Sequence, residues 1–306
     1  MNLKSLRSLL FIPATSTALL PKATQRGADA LIIDLEDAIP FEQKPQARPL
    51  AANAIRSLAE RGATVLLRLN SEPELWRQDL EQQPLHLLAG VMLPKVESFD
   101  QIEALAVVLS ALALGDTTHS YQTSHISQTS NDSEASRSSR SGVPITIQIE
   151  TPRGVLNAAA ICAHPALAAV GFGAEDYSAA LAVPPTPSAL AWPAQQVITC
   201  AHAFGLPCWG LAASIAQIDD PATYAVSVGE ARAMGFTGTV CIHPNQVQLA
   251  NQGFSPSAAE LAWAQRVVEA DRNARAEGIG AILLDGRMID RPIVERARRW
   301  LEIPRT

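Results

Sequence analysis

The sequence is poor in ionisable groups and offers no excess of positive charge. Charged residues make up 18% of the 306 positions, and 24 Lys+Arg against 30 Asp+Glu leave a formal charge of −6. A net acidic chain with no segregated basic face repels a polyanion, so nucleic-acid binding is not expected. No run of 18 apolar residues occurs, and the opening MNLKSLRSLLFIPATS breaks at Pro13. Neither a signal peptide nor a membrane span is expected from such a pattern. The four cysteines (Cys162, Cys200, Cys208, Cys241) form no CxxC pair and sit among apolar neighbours. They read as buried reduced thiols, which implies a cytoplasmic address. There is no HExxH and no Cys/His ligand set, which argues against zinc. Gly171-Phe172-Gly173 lacks the third glycine of a dinucleotide fingerprint. The tryptophans (Trp76, Trp192, Trp209, Trp263, Trp300) are too dispersed for a stacking platform and suit a core or an interface.

What is present is a globular composition, 47% hydrophobic, in a chain long enough for one large domain or two ordinary ones. Short apolar runs recur at Ser8–Ile12, Ala30–Asp34, Val65–Asn70, Gly90–Lys95, Ile145–Glu150, Ala168–Gly173, Pro207–Leu211 and Gly238–His243. Runs such as ALII and VML suit parallel strands covered on both faces, and the segments between them have helical spacing. QARPLAANAIRSLAERG and SFDQIEALAVVLSALALG are the clearest helices, the second opening with Ser98 as N-cap. Eight such units predict an α/β protein, a (β/α)8 TIM barrel over 1–250, rather than a doubly wound sheet.

Two segments depart from that rhythm. Residues 115–142 hold 13 Ser/Thr in 28 positions, too polar to order themselves, and read as a mobile solvated insertion between the fourth helix and fifth strand. Residues 251–306 read as a C-terminal helical extension or lid: a helical run Pro256–Gly278, a short extended piece, a glycine turn and a final helix. Its RARR run reads as a solvated face near the helix C-terminus.

In a barrel the reacting groups belong at the C-terminal ends of strands. Polar residues collect there: Asp34-Leu35-Glu36-Asp37, Arg68-Leu69-Asn70, Lys95-Val96-Glu97, Glu150-Thr151, Glu175-Asp176 and His243-Pro244-Asn245. Several carboxylates in one mouth call for a cation, and a hard divalent ion accepts carboxylate oxygens while leaving room for substrate. Glu150 and Asp176, 26 residues apart, would stand at the ends of adjacent strands and form the best pair. Arg68, on an otherwise apolar strand, requires an anion: a substrate carboxylate or thioester oxygen, or Glu36 or Asp37 across the mouth. His243 reads as a structural histidine sooner than as a base.

At these strand ends the chain resembles the citrate lyase beta-subunit-like branch of the HpcH/HpaI aldolase family. The resemblance lies in RSLLFIP (7–13), GADALIIDLEDAI (27–39), LLRLN (66–70), VMLPKVES (91–98), IQIETPRGVLN (147–157), GFGAEDYSAAL (171–181), GFTGTVCIHPNQV (235–247), FSPS (254–257) and GRMIDRP (286–292). It implies a trimeric or hexameric barrel that uses Mg²⁺ to make or break a carbon–carbon bond between an enolisable acyl group and a keto acid. Citryl, citramalyl or malyl thioesters, on coenzyme A or an acyl carrier, are the substrates it implies. By position in those motifs, Glu150 and Asp176 match metal ligands and Glu150 also a substrate contact. Arg68 matches the carboxylate-binding arginine, Glu36 and Asp37 match acids holding metal-bound water, and Asp290 matches a catalytic acid that some members take from a neighbouring subunit.

Four positions depart from the family pattern: Ala14, Ala194, Trp209-Gly210-Leu211 and Thr239. Several of them are expected where a thioester would approach. An aldolase acting on free hydroxy-keto acids therefore stands as an alternative, and a non-catalytic metabolite-binding barrel as another.

Overall fold

The structure is a computed structural model that describes residues 3–16, 18–116, 142–276 and 278–303. The polar insertion expected at 115–142 falls on residues 117–141, which lie outside the described residues. The chain divides into two compact units, Met1–Ala250 and Asn251–Thr306.

The first unit is built on β1 (Ser8–Pro13), β2 (Ala30–Asp34), β3 (Val65–Arg68), β4 (Gly90–Leu93), β5 (Ile145–Ile149), β6 (Leu167–Phe172), β7 (Cys208–Gly210) and β8 (Thr239–Cys241). They pair in the order β7-β6-β5-β4-β3-β2-β1-β8, every ladder parallel. A parallel bridge between Trp209 and Gly238 brings β7 beside β8, where the Gly210 N–H donates to the Gly238 carbonyl at 2.9 Å. The sheet thus closes on itself as the (β/α)8 barrel that the sequence predicts. Between the strands run α1 (Lys44–Glu60), α2 (Pro73–Leu80), α3 (Phe99–Asp116), α4 (Pro152–Leu156), α5 (Ala158–Cys162), α6 (Ala174–Ala180), α7 (Pro187–Ala203) and α8 (Pro221–Met234), and α9 (Pro244–Phe254) follows β8. Ser98 caps α3 as expected: its Oγ accepts from the Gln101 N–H, while Gln101 Oε1 accepts the N–H groups of Glu97 and Ser98.

Alternate strand residues point inward. Leu9, Ile32, Leu66, Met92, Ala169, Trp209 and Val240 fill the barrel interior. Several strands stop short of their predicted ends because polar side chains capture the backbone there. The Asn70 N–H donates to Asp79 Oδ2 at 3.0 Å rather than to a strand, and the N–H groups of Ile242 and His243 donate to Gln246 Oε1. Strand β4 ends before Lys95, whose φ of 52° is left-handed.

The second unit holds α10 (Ala258–Ala276), the antiparallel pair β9 (Ile282–Leu284) and β10 (Arg287–Ile289), and α11 (Arg291–Glu302). Asp285 and Gly286, at φ 51° and 73°, make the tight hairpin turn between the strands. Ala264, Val267, Ile289, Val294 and Ala297 form its core. The RARR run is not simply a solvated face. Arg296 lies 5.6 Å from the Trp263 ring and 5.5 Å from the Trp300 ring, and Arg298 pairs with Asp271 of α10 at 3.0 Å. Among the described residues no helix is long and apolar enough to cross a membrane.

Candidate active site

A cavity of about 470 Å³ opens at the C-terminal ends of the barrel strands, and Arg68, Gln148, Glu150, Glu175 and Asp176 are its main polar lining. Its other side is apolar, with Phe11, Phe172, Leu211, Ile215 and Val240.

Glu150 follows β5 and Asp176 lies in the first turn of α6, so adjacent strands bring the two carboxylates together. Glu150 is 1% exposed. Burial, with the negative charges of Asp176 and Glu36 added to it, pushes its carboxyl up to about 8. The Lys95 backbone N–H donates to it, 2.7 Å from Oε1. The Lys95 backbone is left-handed there, unusual for a residue with a side chain. On the other side Gly173 is required, since a Cβ there would lie 2.3 Å from Glu150 Oε2 and 2.6 Å from Glu150 Cβ.

Two oxygen-donor side chains that repel one another in a buried site suit a hard divalent cation. No group of three or more His, Cys, Asp or Glu side chains converges as a metal cage among the described residues. A cation held by Glu150 and Asp176 would keep most of its coordination sphere for water or substrate, as Mg²⁺ does.

Arg68 enters the same cavity from β3. Its Nε and Nη2 each lie 2.7 Å from an oxygen of Asp34, directly across the β2–β3 register. Nη1 lies 2.8 Å from Glu36 Oε2 and 3.7 Å from Asp37 Oδ2. Burial opposes the guanidinium charge, but Asp34 and then Glu36 outweigh it and raise its pKa. The Arg68 guanidinium also stacks over the Phe11 ring at 4.5 Å. Asp34 occupies one edge of the fork and Glu36 faces Nη1, which leaves at most one N–H of Nη1 and one of Nη2 for a ligand.

Glu36 is buried, and that burial pushes its carboxyl up to about 7 against the pull of Arg68 and Lys95. Lys95 Nζ donates to Glu36 Oε1 at 2.6 Å and to Asp37 Oδ1 at 3.2 Å. Glu36 is therefore locked among cations, whereas Asp37 is half exposed and lines the cavity. Arg68 thus meets both anions weighed for it from sequence, but its principal partner is Asp34. A charge on the strand beside an arginine was the available signal.

His243 Nδ1 accepts the Asn245 N–H at 3.2 Å, a helix-capping role. Asp290 precedes α11 in the second unit. Ala14, Ala194, Trp209 and Thr239 are all buried at 0–1% exposure, and of the four Thr239 lines the cavity. Gly210 and Leu211, which with Trp209 make up the third departure, line the same cavity. Glu175, read only as one more strand-end acid, holds the loop after β7: Oε1 accepts from the Ser214 hydroxyl and, at 3.1 Å, from the Ile215 N–H. Asn70 faces away from chemistry, its amide donating to Asp79 Oδ2 at 2.7 Å while Lys44 Nζ donates to its Oδ1.

An acid pair open to a hard cation beside an arginine with free donors divides labour as a (β/α)8 lyase or aldolase does, one group for the carbonyl acid and one for the charge that leaves it. The profile of the HpcH/HpaI aldolase/citrate lyase family matches residues 7–244, and the chain belongs to that family. It is 32% identical over 302 residues to the citrate lyase subunit beta-like protein of Deinococcus radiodurans, covering 97% of this chain and 96% of that one. It is 30% identical to the (3S)-malyl-CoA thioesterase of Cereibacter sphaeroides, covering 96% and 93% of the two chains. Among solved structures, CitE from Mycobacterium tuberculosis in complex with magnesium, acetoacetate and coenzyme A superposes with a TM-score of 0.68 at 28% identity, covering 98% of each chain.

Proposed function

We propose that this protein is a Mg²⁺-dependent carbon–carbon lyase that cleaves a 3-hydroxyacyl thioester, of the citramalyl, malyl or citryl type, into an acetyl thioester and a keto acid. The observation that carries the reading is the buried Glu150 set against Asp176, a pair that is costly without a cation. A magnesium complex of a similar protein and thioester-processing relatives support it.

Glu150 and Asp176 would hold the ion, with Glu36 and Asp37 disposed around its water. When bound, Mg²⁺ supplies positive charge beside the hydroxyl and carboxylate oxygens of the acid and lowers the cost of an alkoxide there. Arg68, its orientation fixed by Asp34, offers its remaining N–H donors to the thioester oxygen, where charge accumulates as the C–C bond breaks. The hydroxyl gives up its proton as it becomes the keto carbonyl, the electron pair of the broken bond passes to the acetyl α-carbon, and that carbon takes up a proton in turn, so none is gained or lost overall; we assign its delivery to Asp290. Lys95 balances Glu36 and Asp37, so that Arg68 is not the only cation facing those acids.

Calorimetric titration of metal-stripped protein with Mg²⁺ plus pyruvate, glyoxylate or oxaloacetate, with and without acetyl-CoA, tests this. Saturable keto-acid binding that needs Mg²⁺ and strengthens with acetyl-CoA is expected. Binding indifferent to acetyl-CoA would point to a free-acid aldolase, and no Mg²⁺ binding would refute the reading.

A further inference from the structure

The cavity is charged on one side only. Arg68 and Glu150 are placed by β3 and β5, and in the closed barrel strands β7, β8 and β1 lie across the mouth from them. That side presents Leu211, Ile215, Val240 and Phe11. Among the described residues that line the cavity, Arg68 is the one cation.

The apolar side offers an anion little. The Thr239 hydroxyl donates to the Val240 carbonyl at 3.2 Å, and that of Ser214, next to Ile215, donates to Glu175. Position 210 admits no side chain, since a Cβ on Gly210 would lie 2.9 Å from the Phe236 ring and 3.0 Å from the Phe172 carbonyl oxygen. Gly210, Leu211 and Thr239 are positions where the sequence departs from the family pattern, so this side is a property of the chain itself. It is also preformed. The Ile215 N–H donates to Glu175 Oε1 at 3.1 Å and its carbonyl accepts from Gln246 Nε2 at 2.7 Å, which fixes the half-buried side chain between them.

In the lyase reading, the carbon that becomes the keto carbonyl carries four groups. Its hydroxyl and carboxylate belong at Glu150 and Asp176 with their cation, and the arm leading to the thioester belongs at Arg68. The fourth group is left to face the apolar side. A carboxylate there, as in a citryl unit, would lose water and find no donor. A hydrogen, as in a malyl unit, would leave the apolar side chains uncovered, and a methyl would cover little of them.

We propose that Leu211, Ile215 and Val240 form a subsite for an alkyl group larger than methyl on that carbon, so that the acid released is a monocarboxylic 2-oxo acid with an ethyl or longer side chain. This rests on the lyase reading above, which supplies the anchors for the other three groups.

The test is calorimetry on the full-length protein in Mg²⁺ with pyruvate, 2-oxobutyrate, 4-methyl-2-oxopentanoate and oxaloacetate. Oxaloacetate is 2-oxobutyrate with its terminal methyl replaced by carboxylate, so that pair isolates the charge. Affinity is expected to rise about fourfold from pyruvate to 2-oxobutyrate, the usual gain for one buried methylene, and further for 4-methyl-2-oxopentanoate. Oxaloacetate should bind more weakly than 2-oxobutyrate. Ile215→Arg brings a cation to the wall and should shift the ratio toward oxaloacetate by about tenfold. Ile215→Ala should bring pyruvate and 2-oxobutyrate to within about twofold of one another. If neither variant folds, the wild-type series decides by itself. Pyruvate binding that needs Mg²⁺ but does not strengthen with chain length would overturn the alkyl subsite and leave the lyase reading standing, and so would an unchanged ratio in folded Ile215→Arg. If none of the four acids binds in Mg²⁺, the lyase reading falls and this subsite falls with it.

Discussion

Arg68 and Asp34 are paired edge to edge inside the barrel mouth, two 2.7 Å contacts between two buried residues. The consequence is that the arginine is oriented before any substrate arrives. Its guanidinium cannot rotate without breaking a charge-assisted bidentate bond.

Asp34→Ala should therefore cost stability as well as activity. Removing one partner of a buried pair leaves an uncompensated charge, typically about 3–5 kcal/mol. Urea unfolding of metal-free protein is expected to show this loss, with Glu36 taking up a small part. A change under 1 kcal/mol would mean Asp34 does not position Arg68.

The acid pair sets a pH dependence. Glu150 rises from 4.5 to about 8 on folding, chiefly through burial, so the folded metal-free protein holds a proton that the unfolded chain has lost. Stability of the stripped protein should fall as pH rises from about 4.5 to about 8 and then level off. With Glu150 as the proposed ligand, Mg²⁺ would displace that proton, so the rise in Tm produced by Mg²⁺ should be larger at pH 9 than at pH 6. Proton release would appear as a binding enthalpy that varies with buffer.

Gly173→Ala isolates the shape of the metal site proposed at Glu150. The added methyl would overlap Glu150 at both its Cβ and its carboxylate, moving the ligand while leaving every charge in place. Mg²⁺ affinity should fall by about 10- to 100-fold, the usual effect of misplacing a ligand, with the circular dichroism of the barrel retained. Unchanged affinity would remove Glu150 from the ion's ligands.

Glu175→Ala addresses the loop after β7. That loop is held by Glu175 at the Ile215 N–H and by Gln246 Nε2, which donates to the Ile215 carbonyl at 2.7 Å. Loss of the carboxylate should speed amide exchange at Ile215 about tenfold or more and raise KM ahead of any change in kcat. Exchange equal to wild type would show that Gln246 suffices.

Asp290→Asn should lower kcat about 100-fold if this acid delivers the proton. Mixed oligomers of Glu150→Ala and Asp290→Asn subunits test whether it acts across a subunit boundary. Recovered turnover in the mixture is expected, and none would place its action within one chain.

Much of this was legible in the sequence because parallel strands are written plainly. ALIID and VLLR carry no polar interruption until the strand ends, so the barrel order and the residues at its mouth follow from spacing alone. What was not legible depends on where a backbone turns or a side chain reaches. Lys95 reads as an ordinary strand-end cation, yet it is its backbone N–H, at a left-handed turn, that Glu150 accepts from. Asp34 reads as one acid of three, and only the register that sets it opposite Arg68 singles it out.

The closure of the barrel bears on how such an enzyme can diverge. Strands β7 and β8 are three residues each and meet through one bridge, while β5 and β6 share a long ladder beneath the acid pair. Leu211, Ile215 and Val240 of the apolar wall lie on or next to the thinly stitched side, and Glu150 and Asp176 stand on the firmly stitched one. Side chains of the wall can change size by parting that seam slightly, without shifting the carboxylates. The scaffold thereby lets substrate preference drift while the bond-breaking apparatus is inherited intact.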